Sequence, residues 1–80
     1  MRIDILGDDC AKCRRLHDNV HQAVEERGLA VEITRTNDPE LLARYAVRSL
    51  PGLVIDGVLE SSGKFLSVAE ITRLLESRTR

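Results

Sequence analysis

Apolar residues recur along this chain with two different periods, and the switches between them mark the elements. Residues 3–6 form a short, mostly apolar run closed by Gly7, as expected of a largely buried strand. After the Gly7-Asp8-Asp9 loop, apolar positions recur at Cys13, Leu16, Val20, Ala23 and Val24. That is helical spacing, and Gly28 stands where a C′ glycine would stop the helix. Leu29, Val31 and Ile33 then alternate with Ala30, Glu32 and Thr34, the period-two pattern of a strand. Asn37-Asp38-Pro39-Glu40 reads as a helix start, with a capping residue, Pro near the first helical position and Glu40 three residues after Asn37. The short helix that follows carries Leu41, Leu42, Tyr45 and Ala46 and ends before Pro51, which biases Leu50 towards extended backbone. Leu53-Val54-Ile55 and Val58-Leu59-Glu60 flank Asp56-Gly57, a strong hairpin signal. The last helix opens on the capping box Ser67-Val68-Ala69-Glu70, with Leu66 placed to staple onto Ile71. Ile71, Leu74 and Leu75 give its buried stripe, and Arg73, Arg78 and Arg80 fall towards the end, where cations suit the helix dipole.

The order is therefore β-α-β-α-β-β-α, an α/β arrangement. Two strands joined by a helix pair in parallel through a right-handed crossover, and the last two strands form an antiparallel hairpin. The result is a mixed sheet with helices on both faces. Eighty residues without repeats or linkers make one domain, residues 1–80.

Composition refines this picture. Tyr45 and Phe65 are the only aromatics and Trp is absent, so the core is expected to be aliphatic. The formal net charge is −1 and no basic block stands out, so the chain lacks the electrostatic footprint of a nucleic-acid binder. Stacking aromatics for single strands are missing too. The longest apolar run is far below the ~18–20 residues of a membrane span, and Asp4 interrupts what would be the apolar stretch of a secretory signal. The expected setting is the cytoplasm, where disulfides are seldom structural staples and are more often transient and catalytic.

That setting directs attention to Cys10-Ala11-Lys12-Cys13, which falls where the first strand hands over to the first helix. The i,i+3 spacing puts both sulfurs on one side of the first turn, close enough to bond without moving the backbone. The helix start offers unpaired N–H groups and partial positive charge, which stabilise a thiolate at Cys10. Lys12, Arg14 and Arg15 add cationic charge, whereas Asp8 and Asp9 oppose the thiolate. The expected pKa of Cys10 lies below the free-thiol value of ~8.5 without reaching the lowest values such motifs attain. Cys10, at the exposed start, is then the nucleophile, and Cys13, turned inward with Leu16, the resolving thiol. Exchange would run through a mixed disulfide released by the second thiol.

The pair has two other possible uses. A permanent staple would close only a four-residue loop and gain roughly 2 kcal/mol on the loop-entropy model. A metal site could recruit His17, i+4 from Cys13, and His21 one turn further. A closed zinc site wants four ligands, though, and no second CxxC or paired His follows, so the two histidines read as ordinary residues on a partly solvated helix face. A two-thiol site for copper(I) or a metalloid remains as the alternative.

The stretch from Ile5 to Cys13 resembles the opening of the short glutaredoxin-like thioredoxins of archaea and bacteria, also called redox-active disulfide proteins. The similarity resumes at Tyr45-Ala46-Val47 and at Leu50-Pro51-Gly52-Leu53-Val54-Ile55-Asp56-Gly57. The resemblance implies a thioredoxin-like fold of four strands and three helices, with Pro51 in the cis form beside the cysteines. It also implies that Leu50 presents its backbone to an extended partner chain. No Trp precedes Cys10 and no Pro separates the cysteines, so the chain differs from the standard large thioredoxins. Leu50 and Gly52 replace the usual Thr and Ala around Pro51. Gly63 is similar to the glycine before the last helix of glutaredoxins, but Lys64-Phe65-Leu66-Ser67 lacks the acidic residue that accompanies it, which leaves glutathione use unsupported.

The expected activity is dithiol–disulfide oxidoreduction on a disulfide-containing protein or small molecule, without a cofactor. A thioredoxin-reductase-like partner or another dithiol would donate the electrons. Soft-metal binding (copper(I) or arsenite) and redox-sensing adaptor function are the competing classes.

Overall fold

The computed structural model describes residues 1–8 and 10–78. The chain runs β1 (Arg2–Leu6), α1 (Ala11–Arg27), β2 (Glu32–Thr36), α2 (Pro39–Arg44), β3 (Gly52–Ile55), β4 (Val58–Ser62) and α3 (Val68–Arg78). The four strands form one sheet in the order β2-β1-β3-β4. β1 pairs in parallel with β2, from Arg2↔Glu32 to Leu6↔Thr36, and antiparallel with β3, from Ile3↔Ile55 to Leu6↔Gly52. β3 and β4 form the expected hairpin, turning at Asp56 and Gly57 with φ of 48° and 81°, the positive values a two-residue turn of this kind requires. Leu53 pairs with Ser61 but Val54 with Leu59, so Glu60 is an extra residue in β4.

Strand alternation sorts the side chains. Ile3 and Ile5 of β1 and Leu53 and Ile55 of β3 face Leu16, Val20, Ala23 and Val24 of α1 and Ile71 and Leu75 of α3. This cluster contains no aromatic residue, as composition implied. Each fully buried Ile or Leu in it contributes roughly 1.5–3 kcal/mol relative to exposure. Leu6 and Val54 are buried on the other face, where Val47, just past α2, lies against Gly52.

The caps follow from local chemistry. Gly28 takes a left-handed φ of 62°, its N–H donates to Glu25 O, and the N–H of Leu29 donates to Val24 O. That pair of bonds is a complete Schellman ending. Ser67 and Glu70 close the capping box at α3, with Glu70 N–H donating to Ser67 Oγ at 3.2 Å and Ser67 N–H to Glu70 Oε1 at 3.3 Å. Leu66 and Ile71, the stapling pair, both join the core.

Boundaries at β2 and α2 differ from expectation. β2 begins at Glu32 rather than Leu29, because the edge it pairs with begins only at Arg2; Leu29 and Val31 pack against the core before pairing starts. At α2 the cap is Asp38, whose Oδ1 accepts from Glu40 N–H at 3.0 Å. Glu40 thus sits at the second helical position, one short of a capping box. The helix ends at Arg44, leaving Tyr45 as its C-cap and Ala46 at a φ of 54°. Arg80 lies outside the described residues. Among the described residues, no helix is long and apolar enough to cross a membrane.

Candidate active site

The site is assembled from three segments that sheet pairing brings to one end of β1. Leu6, the last residue of β1, pairs with Gly52, the first of β3, so Gly7 and Pro51 emerge side by side. The Leu50–Pro51 peptide is cis, as the resemblance implied, and Pro51 is fully buried. Gly63 N–H donates to Pro51 O at 2.9 Å and Ser62 Oγ to Ser49 O at 3.0 Å, which fastens this segment to the end of β4. Gly63 therefore has a structural task independent of any glutathione site.

Gly7 leads directly into the cysteine motif. Its N–H donates to Thr36 O at 2.8 Å, continuing the β1–β2 ladder one residue beyond the strand. Cys10 follows as the N-cap of α1 with extended backbone, φ −80° and ψ 163°. Its carbonyl accepts from Arg14 N–H at 3.0 Å and its Sγ from Cys13 N–H at 3.2 Å. Cys10 and Cys13 are joined by a disulfide, with their Cα atoms 5.1 Å apart. The two sulfurs sit in different environments: Cys10 is partly exposed, whereas Cys13 is 0% exposed and shares the inward face of α1 with Leu16.

Gly7, which in the sequence reads as the close of a strand and the start of a loop, is a further site residue. A Cβ on Gly7 would come within 2.7 Å of Cys13 Sγ and 3.6 Å of Pro51 Cα. No other residue fits between the sulfur and the proline without moving one of them. The signal available in the sequence was a glycine closing an apolar strand three residues before a CxxC.

The remaining candidates spread around this centre. Lys12 is exposed and, with Ala11, Arg15 and Phe65, lines a shallow groove of about 340 Å³. The Arg15 guanidinium lies 5.8 Å from the centroid of the exposed Phe65 ring, within cation–π range. Asp8 is exposed, and its carboxylate and the two sulfurs lie within 4.8 Å of one another. Asp9 lies outside the described residues. Leu50 is partly buried beside Pro51. His17 and His21 do not join the cysteines: their Nε2 atoms are 3.1 Å apart and face each other along α1. Burial holds the His17 pKa below the usual histidine value, with His21 and Arg35 acting in the same sense and Asp18 opposing them.

A buried and a partly exposed cysteine joined at a helix start, beside a buried proline, can cycle as a two-electron couple. Fold and site together define a dithiol–disulfide exchange protein. The comparisons agree. The thioredoxin domain family matches residues 1–76. The chain is 35% identical to a thioredoxin of Methanothermobacter thermautotrophicus over 75 residues, covering 94% of this chain and 97% of that one. It is 40% identical to a thioredoxin of Methanocaldococcus jannaschii over 75 residues, covering 94% and 86%. Among solved structures, a malaria parasite thioredoxin-2, described as a component of protein secretion machinery, superposes with a TM-score of 0.74 at 14% identity, covering 95% of this chain and 81% of that one. A second malarial protein gives 0.70 at 14% identity, covering 95% and 93%. These two show likeness of fold. The chain belongs to the thioredoxin domain family, and it is a thiol–disulfide oxidoreductase.

Proposed function

We propose that Cys10 is the attacking thiolate and Cys13 the resolving thiol. The observation that carries this assignment is their unequal exposure at one helix start, with Cys13 fully buried and Cys10 partly open and capping α1. A thiolate at Cys10 would keep the N–H bond from Cys13 and gain from the partial positive charge of the helix end. In the reductive direction the Cys10 thiolate attacks one sulfur of a substrate disulfide. A mixed disulfide forms and the other substrate sulfur leaves as a thiolate. Cys13 then loses its proton and attacks Cys10 Sγ, closing the Cys10–Cys13 disulfide and releasing the second substrate thiolate. Two electrons pass from the dithiol to the substrate, and a thioredoxin-reductase-like protein or another dithiol returns them.

Lys12 favours the thiolate, and Asp8 and Asp9 oppose it. Leu50 offers its backbone to an extended segment beside Pro51. Disulfide-bearing proteins or small molecules of the cytoplasm are the substrate class. The same sulfurs support a second reading, since Asp8, Cys10 and Cys13 offer three ligand atoms within 4.8 Å for a soft ion once the disulfide is reduced.

The test uses reduced protein, a protein disulfide and a recycling dithiol. Cys10→Ser is expected to lose turnover and form no adduct, whereas Cys13→Ser retains substrate as a mixed disulfide through Cys10. If both serine variants keep full turnover, or if Cys10→Ser is the one that traps substrate, the assignment fails. Tight binding of copper(I) or arsenite with no disulfide turnover would favour the second reading instead.

A further inference from the structure

We infer that His17 and His21 form a two-imidazole chelate for a divalent copper ion on the outer side of α1, separate from the cysteines. The i,i+4 spacing sets the two rings one above the other on a helix. Their Nε2 atoms converge to 3.1 Å, with ring centroids 4.3 Å apart and planes inclined at 58°. With metal–nitrogen distances of about 2.0–2.1 Å, that separation corresponds to an N–metal–N angle of about 100°. Adjacent positions of a tetragonal or tetrahedral ion both lie close to that value. A modest ring rotation, within the broad range open to a histidine χ2, would aim both lone pairs at one point.

The surroundings suit an ion with water in its remaining positions. His21 is exposed, so the approach is open. His17 turns its Nδ1 towards Asp18 Oδ1, 3.8 Å away, leaving Nε2 as the atom that meets its partner. At that distance Asp18 is not a hydrogen-bond partner but a nearby negative charge behind the ring, which favours a bound cation. Arg35 and Asp18 bring charges of opposite sign near His17. The scaffold is rigid, because Leu16 and Val20, interleaved with the two histidines, are fully buried and pin this stretch of α1 to the sheet. Little ordering is therefore needed on binding. Imidazole ligands and the ordering of divalent affinities place copper(II) first among the candidates.

The experiment titrates Cu(II) alone into the disulfide form of the full chain, where neither sulfur is a thiolate. One ion per chain is expected, with a paramagnetic resonance spectrum showing coupling to two nitrogens. Because the second imidazole binds intramolecularly, removing either ring should weaken binding by roughly 10²-fold. His17→Asn and His21→Asn provide that comparison; should the partly buried His17 position perturb the fold, the exposed His21 variant decides. If His21→Asn binds Cu(II) as tightly as the unsubstituted chain, or if the spectrum shows a single nitrogen, the chelate is overturned.

Discussion

The start of α3 is closed by two reciprocal hydrogen bonds between Ser67 and Glu70, whereas α1 starts on a cysteine whose sulfur accepts a single 3.2 Å bond from Cys13 N–H. α3 carries Glu70 in its first turn, and α1 has no acidic residue there. Both ends have the same orphan N–H groups and the same partial positive charge. At α3 an oxygen and a carboxylate consume them, and the result is stability. At α1 a neutral sulfur is a weak acceptor, so the end stays receptive to negative charge, which the Cys10 thiolate would supply on the proposed assignment. On that assignment the same backbone device serves folding at one helix and reactivity at the other.

The most disruptive way to probe the α1 end is Gly7→Ala. The new Cβ would lie 2.7 Å from Cys13 Sγ, so the sulfur, the glycine backbone or Pro51 must shift. Overpacking of this kind costs roughly 1–3 kcal/mol. The unfolding midpoint of the oxidised protein should fall accordingly, and disulfide turnover should fall with it because the buried sulfur is displaced. Lys64→Ala, an exposed change in the loop before α3, is the matched control and should stay within about 0.5 kcal/mol. Equal effects at the two positions would remove the claim that the α1 entrance is packed around its sulfur.

At the other helix, Ser67→Ala removes the oxygen that accepts Glu70 N–H. A lost cap of this type costs about 1 kcal/mol, with a range of 0.5–2. Denaturant titration should show that loss while disulfide turnover per folded molecule stays unchanged. A turnover defect would mean that the two helix ends are not functionally separate.

Much of this division was legible in the sequence. The capping box at Ser67, the Asp56-Gly57 turn and Gly28 are local signals, and local hydrogen bonding decides each of them. The cysteine motif was legible for the same reason, since i,i+3 spacing at a helix start needs no long-range information. What the chain could not reveal by itself depends on pairing between distant segments. Gly7 looks like a strand end until β1 and β3 register sets it beside Pro51 and folds Cys13 back onto it. The β2 boundary moved for a similar reason: alternation began at Leu29, but hydrogen bonding waits for the edge of β1. The pairing of His17 with His21 rather than with Cys13 also follows from burial, which turns Cys13 into the core and leaves the histidines outside.

The subtlest test moves the chemistry of the α3 start onto α1. Lys12→Glu places a carboxylate in the first turn of α1, as Glu70 does in α3. A carboxylate near the positive end of the helix dipole stabilises the helix by about 0.3–1 kcal/mol at low salt. The oxidised protein, which has no thiolate, should therefore unfold no earlier than the unsubstituted chain. The reduced protein faces an additional effect. A second negative charge near Cys10 disfavours its thiolate, and the loss of the lysine cation acts in the same direction. The pH profile of Cys10 alkylation should consequently move to higher pH, and the rate at neutral pH should drop. Stability and reactivity are then expected to change in opposite directions from one substitution. If the alkylation profile does not move, the receptive helix end is not what activates Cys10. If it moves while the oxidised protein is destabilised, the first turn of α1 is held by Lys12 contacts rather than by the dipole. Only the opposed pair of changes is consistent with one set of N–H groups serving either a carboxylate or a thiolate.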